Sequence, residues 1–317
     1  MAALNHPPLT IKIMRAGFVE SSHAVHAVVM QGGEPAAIYG DAARMTFPRS
    51  SIKLLQALPL IESGAADAFG LTDEEIALSC ASHGGEDAHT RKVGAWLNRI
   101  HLDESDLECG PQAPGTNPCQ PATQLCNNCS GKHVGMLTLS LFLKARVLGY
   151  TDVDHPVQQK ILARISSLCG ENLTASACGV DGCAAPAPIM RLESLARAFA
   201  NFIAEKSPAP ARILRAMAAY PHLVAGRGML DTALISATNG KVICKTGDEG
   251  VYIALAPAKE TVIALKAEDG ATRASVAALH LLLQKYNLAD PTALGEIREI
   301  SLPSLKNRNG VKVGHIE

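Results

Sequence analysis

A serine and a lysine stand three residues apart at Ser50 and Lys53. Apolar residues recur at helical spacing from Ser50 to Glu62, which predicts that both side chains lie on one face of a helix start. A neutral lysine at that place accepts the serine proton, and the helix N-terminus favours negative charge nearby. The pair therefore indicates nucleophilic acyl transfer, provided that burial or a neighbouring cation keeps Lys53 neutral. A helix N-cap serine followed by a solvated lysine has the same pattern.

Two later segments favour the catalytic interpretation. Ser82 follows a short helix that a capping-box pattern at Thr72 and Glu75 predicts, and Lys245-Thr246-Gly247 closes a predicted strand. The order of Ser-x-x-Lys, a middle serine and a late Lys-Thr-Gly is typical of penicillin-recognising serine enzymes. In that arrangement the late lysine lies near the middle serine, and its charge helps to keep the first lysine neutral. Taken singly, Ser82 is equally typical of a turn and Lys245 of an exposed strand end.

The stretch Cys126-Asn127-Asn128-Cys129-Ser130-Gly131-Lys132-His133 contains a C-x-x-C pair followed by a histidine. Such spacing indicates a soft metal site, which Cys178 or Cys183 would complete. A redox dithiol and two packed thiols are the alternatives that the spacing leaves open. A zinc or thiol sensor built on this cluster is accordingly the non-enzyme hypothesis.

The elements that must position these residues can be read from periodicity and turn signals. A β-hairpin is predicted over residues 17–41, and three strands at 240–244, 250–256 and 261–265 precede a helix at 271–286. Helices are predicted near 86–101, 131–148, 156–168, 190–205 and 209–219, and irregular stretches at 104–130 and 176–188. Both chain ends can then share one antiparallel sheet. We expect an α/β fold of two lobes, with an α/β lobe at about 10–50 and 225–317 and a mainly helical lobe at about 51–224.

Composition narrows the class of protein. The chain of 317 residues is 47% hydrophobic and 19% charged with a net charge of −1, which is typical of a globular protein and gives no sign of a nucleic-acid partner. Aromatic residues are scarce at 4%, which also disfavours base stacking. The longest apolar stretch is too short to span a membrane, and no basic segment followed by an apolar run opens the chain. We therefore expect a cytoplasmic enzyme acting on a small molecule.

Four segments together resemble one known family. They are Pro48 to Lys53 (PRSSIK), Ser79 to Gly85 (SCASHGG), Cys126 to His133 (CNNCSGKH) and Val180 to Cys183 (VDGC). In this order they resemble the signature segments of the Rhizobium etli-type L-asparaginases, and the similarity covers nearly the whole chain. The resemblance implies a fold similar to serine β-lactamases and glutaminases, and a homodimer.

The resemblance also implies a set of site residues. It implies catalytic Ser50, Lys53, Ser82 and Lys245, and zinc ligands Cys129, Lys132 and Cys183, with a water completing the zinc site. An amino-acid head group needs a cation for its carboxylate and an anion for its ammonium, which makes Arg49, His133 and Asp181 the candidates for binding substrate. Asp181 is equally suited to support a ligand of the metal site. Zinc would position the substrate rather than carry out hydrolysis. Lys266 is the alternative partner of Ser82, and spacing alone nominates Cys126 or His133 as a zinc ligand before a lysine.

The expected reaction is hydrolysis of L-asparagine to L-aspartate and ammonia through an acyl-enzyme. Lys53 deprotonates Ser50, and Ser82 with Lys245 relays the proton. Ser82 remains an alternative nucleophile. Glutaminase, β-lactamase and D-peptidase activities are the enzyme alternatives.

Overall fold

The computed structural model describes residues 3–115 and 121–317. Part of the predicted irregular stretch at 104–130, namely residues 116–120, lies outside the described residues. The strands are, in chain order, β1 (Leu4–His6), β2 (Leu9–Arg15), β3 (Phe18–Gln31), β4 (Glu34–Tyr39), β5 (Met45–Thr46), β6 (Cys178–Val180), β7 (Pro186–Pro188), β8 (Met190–Arg191), β9 (Ile243–Gly247), β10 (Val251–Ala256), β11 (Thr261–Ala267), β12 (Leu305–Lys306) and β13 (Lys312–Ile316).

The helices follow the same convention. They are α1 (Lys53–Gln56), α2 (Leu58–Glu62), α3 (Ala65–Ala68), α4 (Asp73–Ser79), α5 (Asp87–Arg99), α6 (Ser130–Phe142), α7 (Pro156–Cys169), α8 (Leu192–Ala204), α9 (Pro208–Ala219), α10 (Pro221–Val224), α11 (Leu230–Ala237), α12 (Thr272–Lys285) and α13 (Pro291–Ser301). Short 3₁₀ turns lie at Arg49–Ile52, Glu104–Asp106, Ala175–Ala177 and Pro257–Lys259. Within the described residues, no helix is both long and apolar enough to cross a membrane.

The chain divides into two compact units. The first comprises residues 1–51, 190–204 and 228–317, and the second comprises residues 52–189 and 205–227. The chain first passes from one unit to the other between Ser51 and Ile52, inside the 3₁₀ turn that leads into α1. Ser50 therefore belongs to the first unit, and Lys53 to the second.

The first unit is built on one sheet that draws strands from both ends of the chain. Its order is β12-β13-β2-β3-β11-β10-β9, with β4 beside β3 and β1 beside β4. All the pairs are antiparallel except β1 with β4, which is parallel. β10 and β11 are buried at nearly every position, because α8 and α12 pack against them. The predicted mixed α/β fold with an antiparallel sheet from both chain ends is confirmed.

The second unit is mainly helical. α4 packs against α6, α9 and α10, and α6 also contacts α5 and α7. The predicted capping box is present, since the Thr72 hydroxyl accepts from the Glu75 N–H and the Glu75 carboxylate accepts from the Thr72 N–H. β6 and β7 form a small hairpin over the second irregular stretch. Asp181 and Cys183 lie in the turn between β6 and β7, in the same unit as α6.

Two predicted helices end early for local reasons. The helix predicted from Ser50 to Glu62 is divided into a 3₁₀ turn, α1 and α2, and the break falls at Ala57. Pro59 has no N–H to continue the hydrogen-bond ladder from α1, so it lies in the first turn of a new helix, α2, where an N–H needs no partner within the helix. The helix predicted to reach residue 148 ends at Phe142, because Lys144 adopts a positive φ of 54° that an α-helix cannot include.

Candidate active site

Lys53 is the first residue of α1 and is fully buried. Its Nζ donates to the Ser82 Oγ at 2.9 Å and to the Ala81 carbonyl oxygen. The lysine that the sequence pairs with Ser50 therefore also contacts the second predicted serine. Ser82 is half-buried, so its hydroxyl can meet a small molecule from outside while the amine behind it is shielded from water.

The segment that carries Ser82 forms backbone hydrogen bonds with two other parts of the second unit. The Ser82 and Gly84 N–H groups donate to the carbonyl oxygens of Val224 and Ala225, at 2.9 and 3.0 Å. The His83 N–H donates to the Asn128 carbonyl oxygen at 3.1 Å. These bonds connect the segment to the end of α10 and to the loop that precedes α6. The backbone position of Ser82 is therefore fixed by hydrogen bonds to residues distant in sequence, and not only by contacts within its own loop.

His83 is fully hydrogen-bonded and neutral. Its Nδ1 accepts from the Gly85 N–H at 3.2 Å, so Nε2 carries the hydrogen and donates to the Ser130 Oγ at 2.9 Å. Burial lowers the pKa of His83 well below its ordinary value, and the charges of His89 and Lys53 add to the effect. The uncharged His83 ring therefore connects the Ser82 segment to Ser130 at the start of α6.

A close helix contact brings the cysteine-bearing segment beside this serine. A Cβ at Gly131, the second residue of α6, would lie 2.4 Å from the Leu78 carbonyl oxygen on α4. Only glycine permits that approach. The contact fixes the start of α6 against the end of α4, a few residues before Ser82. It explains why the CNNCSGKH segment needs glycine at its sixth position.

The three predicted zinc ligands converge in the second unit, and all three are buried. The Lys132 Nζ donates to the Cys183 Sγ at 3.0 Å. A side-chain hydrogen bond with Cys129 and the Lys132 charge lower the pKa of Cys183 to about 4, and the Cys129 Sγ also donates to the Asn128 Oδ1 at 3.0 Å. The hydrogen bond with Cys183 raises the pKa of Cys129 to about 12. Burial disfavours the Lys132 ammonium, yet its thiolate partner raises the lysine pKa overall. The group is thus an ammonium, a thiolate and a thiol.

This donor set is chemically suited to zinc. Two sulfurs and one nitrogen with a water form the four-coordinate arrangement that zinc prefers, once Lys132 and the Cys129 thiol give up their protons. No group of three His, Cys, Asp or Glu side chains in residues 3–115 and 121–317 is placed to hold a metal. The set that spacing alone suggests, with Cys126 or His133 as a third ligand, is therefore not assembled there.

His133 and Asp181 lie in the same unit as the cysteine group. The Tyr150 hydroxyl accepts from the Glu108 N–H at 2.9 Å and lies 2.7 Å from the His133 Nδ1, while the buried His133 Nε2 has no partner in the described part of the chain. Burial and the Lys132 charge lower the His133 pKa to about 3, so the ring is neutral. Asp181 begins the turn that carries Cys183 and interacts electrostatically with Lys132.

In the first unit, Lys245 lies on β9 with only 1% of its surface exposed. Its Nζ donates to the Asp231 carboxylate at 3.2 Å and to the Thr246 carbonyl oxygen at 3.1 Å. The alternative lysine, Lys266 on β11, donates to the Glu249 carbonyl oxygen at 2.7 Å and to Ala267. The sequence did not indicate Asp231, because it lies alone at the start of the short helix α11 with no motif around it.

The Lys-Thr-Gly strand passes directly beside the segment that leads into Ser50. A Cβ at Gly247 would lie 2.4 Å from the Pro48 carbonyl oxygen and 3.3 Å from the Ser51 Cβ. The glycine of this motif therefore allows β9 to approach the turn that carries Ser50. Arg49, in that turn, forms an ion pair with Asp248 at 3.2 Å, just after β9. The Arg49 guanidinium therefore lies at the C-terminal end of β9. The Arg49 backbone has a φ of 52°, which is unusual for a non-glycine residue.

A half-buried serine that accepts a hydrogen bond from a buried lysine, as Ser82 does from Lys53, is typical of the class of hydrolases that use serine and lysine for acyl transfer. The family comparison is more specific. The chain belongs to the L-asparaginase II family, whose model matches residues 11–317. Membership makes it an amidohydrolase of the asparaginase type acting on a small molecule, and confirms the family predicted from the four segments.

Solved structures of similar fold include two β-lactamase-type proteins. A β-lactamase from Mycobacterium bovis is 13% identical at a TM-score of 0.43, with 83% of this chain and 94% of that chain covered. A candidate β-lactamase from Bacteroides dorei is 12% identical at a TM-score of 0.43, with coverages of 83% and 85%. Nothing about the reaction follows from these likenesses. A search of curated proteins gave no match.

Proposed function

We propose that this protein is an L-asparaginase that hydrolyses the side-chain amide of L-asparagine through an acyl-enzyme on Ser50. The observation that carries the proposal is the 2.9 Å hydrogen bond from Lys53 to Ser82, in a chain that belongs to the L-asparaginase II family. One buried amine with a serine three residues before it and a second serine at hydrogen-bond distance supplies both a base and a proton route. The alternative, a helix N-cap serine followed by a solvated lysine, requires neither a buried amine nor a second serine.

The mechanism begins with Lys53 in its neutral form. Its buried Nζ accepts the Ser50 proton as the hydroxyl oxygen attacks the amide carbon. The proton then passes through Ser82 to the leaving nitrogen, so ammonia departs and the carbonyl carbon stays bonded to the serine oxygen. Water attacks this ester with the same base, and L-aspartate leaves. Lys245 takes part in this proton relay together with Ser82.

The substrate head group needs a cation for its carboxylate and an anion for its ammonium. We assign Arg49 to the carboxylate and Asp181 to the ammonium. His133, being neutral, serves as a hydrogen-bond partner through its unpaired Nε2 rather than as a charge. When bound at Cys129, Lys132 and Cys183, zinc would orient the substrate by polarising a nearby polar group, while the covalent steps stay with the serines and lysines.

The decisive experiment measures ammonia release from L-asparagine by the native chain and by Ser50→Ala. Ser51→Ala is the matched control, since that neighbouring hydroxyl is buried and donates to the Pro48 carbonyl oxygen. We expect the first variant to lose activity and the control to keep it. Undiminished release by the first variant would exclude Ser50 as the nucleophile. Trapping of the acyl-enzyme on a peptide containing Ser82 would assign the attack to Ser82 instead.

The alternatives have their own tests. Glutamine differs from asparagine by one methylene, which a pocket distinguishes by about 1–3 kcal/mol, so a comparison of kcat/KM for the two amides decides between asparaginase and glutaminase. Hydrolysis of a chromogenic cephalosporin would favour a β-lactamase. A conformation that changes with thiol oxidation, without any hydrolysis, would favour the zinc or thiol sensor. We further propose a cytoplasmic homodimer on the family resemblance, which light scattering and cell fractionation test.

A further inference from the structure

The stretch that accepts hydrogen bonds from the Ser82 segment is itself bound by the start of α5. Residues 222–227 comprise most of α10 and the turn after it, and this stretch is called the 222–227 segment. Its Val224 and Ala225 carbonyl oxygens accept from the Ser82 and Gly84 N–H groups at 2.9 and 3.0 Å. All of these residues lie in the second unit. A displacement of the 222–227 segment would therefore displace the Ser82 backbone as well.

Glu86, the residue that precedes α5, binds the C-terminal end of this segment. Its carboxylate accepts from the Arg227 N–H at 2.8 Å, and its side chain is 13% exposed. A Cβ at Gly226 would lie 2.5 Å from the Glu86 Oε1, so the carboxylate lies directly against the backbone of the segment. Gly226 also has a φ of 108°, which residues with a Cβ rarely adopt. Glycine at this position therefore lets the carboxylate reach the Arg227 amide.

His89, in the first turn of α5, binds the other end of the segment. Its Nε2 donates to the His222 carbonyl oxygen at 3.0 Å, and its ring is fully buried. The ring also stacks on the rings of His83 and His222, with centroids 4.7 and 5.3 Å apart. His83 is the residue after Ser82. The start of α5 thus contacts both ends of the 222–227 segment and the chain next to the serine.

Two side chains also face the Glu86 carboxylate. Its Oε2 lies 3.3 Å from the His222 Nε2 and 3.8 Å from the Arg227 Nε. The Arg227 side chain is 87% exposed, and ion pairs in such a position contribute little because water screens them. A hydrogen bond that a carboxylate accepts from a backbone N–H is about twice as strong as one between neutral groups. The bond to the Arg227 N–H is therefore the contact by which Glu86 holds the segment.

We propose that Glu86 is a positioning residue for Ser82. It holds the 222–227 segment, which in turn keeps the Ser82 hydroxyl at 2.9 Å from the Lys53 Nζ. This proposal rests on the proposed function, in which Ser82 passes the proton to the leaving nitrogen. Because Glu86 acts on the serine that moves the proton, its loss should slow the chemical step and leave substrate binding nearly unchanged.

The test compares three substitutions of Glu86 by ammonia release from L-asparagine. Glu86→Ala removes the acceptor, and we expect kcat to fall about tenfold to a hundredfold with KM changed by less than about threefold. Glu86→Gln keeps an acceptor oxygen without the charge and should recover most of kcat. Glu86→Asp keeps the charge but withdraws the oxygen, and should be as slow as Glu86→Ala. Because aspartate is a favoured N-cap, this change leaves α5 stable.

Two results of this comparison overturn the proposal. Native kcat in Glu86→Ala would show that the 222–227 segment keeps its place without Glu86. A kcat in Glu86→Gln as low as in Glu86→Ala would assign the effect to the charge of Glu86 instead of its hydrogen bond to the Arg227 N–H.

A second readout does not depend on activity. Hydrogen exchange of the Ser82 and Gly84 amides reports whether the 222–227 segment still holds them. We expect both amides to exchange about tenfold to a hundredfold faster in Glu86→Ala, and at near-native rates in Glu86→Gln. If the native chain releases no ammonia yet shows this pattern, the proposed function fails and the hold of Glu86 on the Ser82 segment stands. Native exchange in Glu86→Ala refutes the positioning role.

His155→Ala is the matched control for general destabilisation of the second unit. His155 is buried and caps α7, where its Nδ1 accepts from the Val157 N–H at 3.2 Å. The variant should lower the melting temperature and speed exchange in α7, with native kcat and native exchange of the Ser82 and Gly84 amides. If His155→Ala speeds these two amides as much as Glu86→Ala does, the effect is a general structural one and the proposal is overturned.

Discussion

Gly131→Ala tests whether the approach of α6 to α4 places the active site. The added Cβ would lie 2.4 Å from the Leu78 carbonyl oxygen, whereas ordinary contact begins near about 3.5 Å. The two helices must therefore separate by about 1 Å at this point. Overpacking of this kind costs about 1–3 kcal/mol of unfolding free energy, and a displacement of about 1 Å lowers catalysis by roughly a hundredfold.

The matched control is Gly94→Ala, in the interior of α5. Its Cβ would meet nothing within 4 Å, so the change should stabilise the helix by about 0.5–1 kcal/mol without touching the site. Both variants are assayed by denaturant unfolding and by ammonia release from L-asparagine. The combination of lower stability and lower kcat/KM in Gly131→Ala alone supports the reasoning. Native stability and activity in Gly131→Ala would show that the close approach is not what positions α6.

Three further predictions follow from the site. Cys183→Ser should abolish bound zinc measured by mass spectrometry while Cys126→Ser retains it, and the reverse result would restore the ligand set that spacing suggests. Lys53→Met should lower kcat about a hundredfold to ten-thousandfold, and an active variant would remove Lys53 as the base. Because burial lowers the pKa of folded His83, its contribution to stability is complete above the unfolded pKa of about 6.5 and is lost as pH falls toward the folded pKa, by at most about 1.4 kcal/mol for each pH unit. His83→Asn should flatten this acid limb in unfolding experiments, whereas the exposed His315→Asn should leave it unchanged.

The sequence predicts most of the elements because their signals are local. α5, α7, α8, α9 and α12 lie close to their predicted ranges, and β10 and β11 are continuous apolar runs. The predicted strand at 240–244 is displaced toward the C-terminus, and the Lys-Thr-Gly triplet forms the end of β9. The chain ends were missed. β12 and β13 lie toward one edge of the sheet, β2 lies between β13 and β3 with mixed polarity, and α13 follows the predicted helix at 271–286.

The sequence indicates which residue types form the candidate site, but it does not indicate the contacts between them. Ser50, Lys53 and Lys245 stand in motifs whose spacing carries chemistry, so the residue types alone indicate them. The hydrogen bond from Lys53 to Ser82 joins residues far apart in sequence, and it depends on how the Ser82 segment is held by α10. Asp231 had no signal at all, because a buried carboxylate is recognised only by the donors that the folded strands bring to it.

The pairing of β3 with β11 has a consequence for biosynthesis. Ala27 on β3 lies opposite Leu265 on β11, so the middle of the sheet joins segments made roughly 240 residues apart. At about 5–20 residues per second, the ribosome needs roughly 10–50 s to deliver the second partner. The whole second unit emerges within that interval. The nascent chain therefore carries an uncovered hairpin edge while its helices fold, and chaperone capture of translation intermediates should be concentrated on β2 to β4.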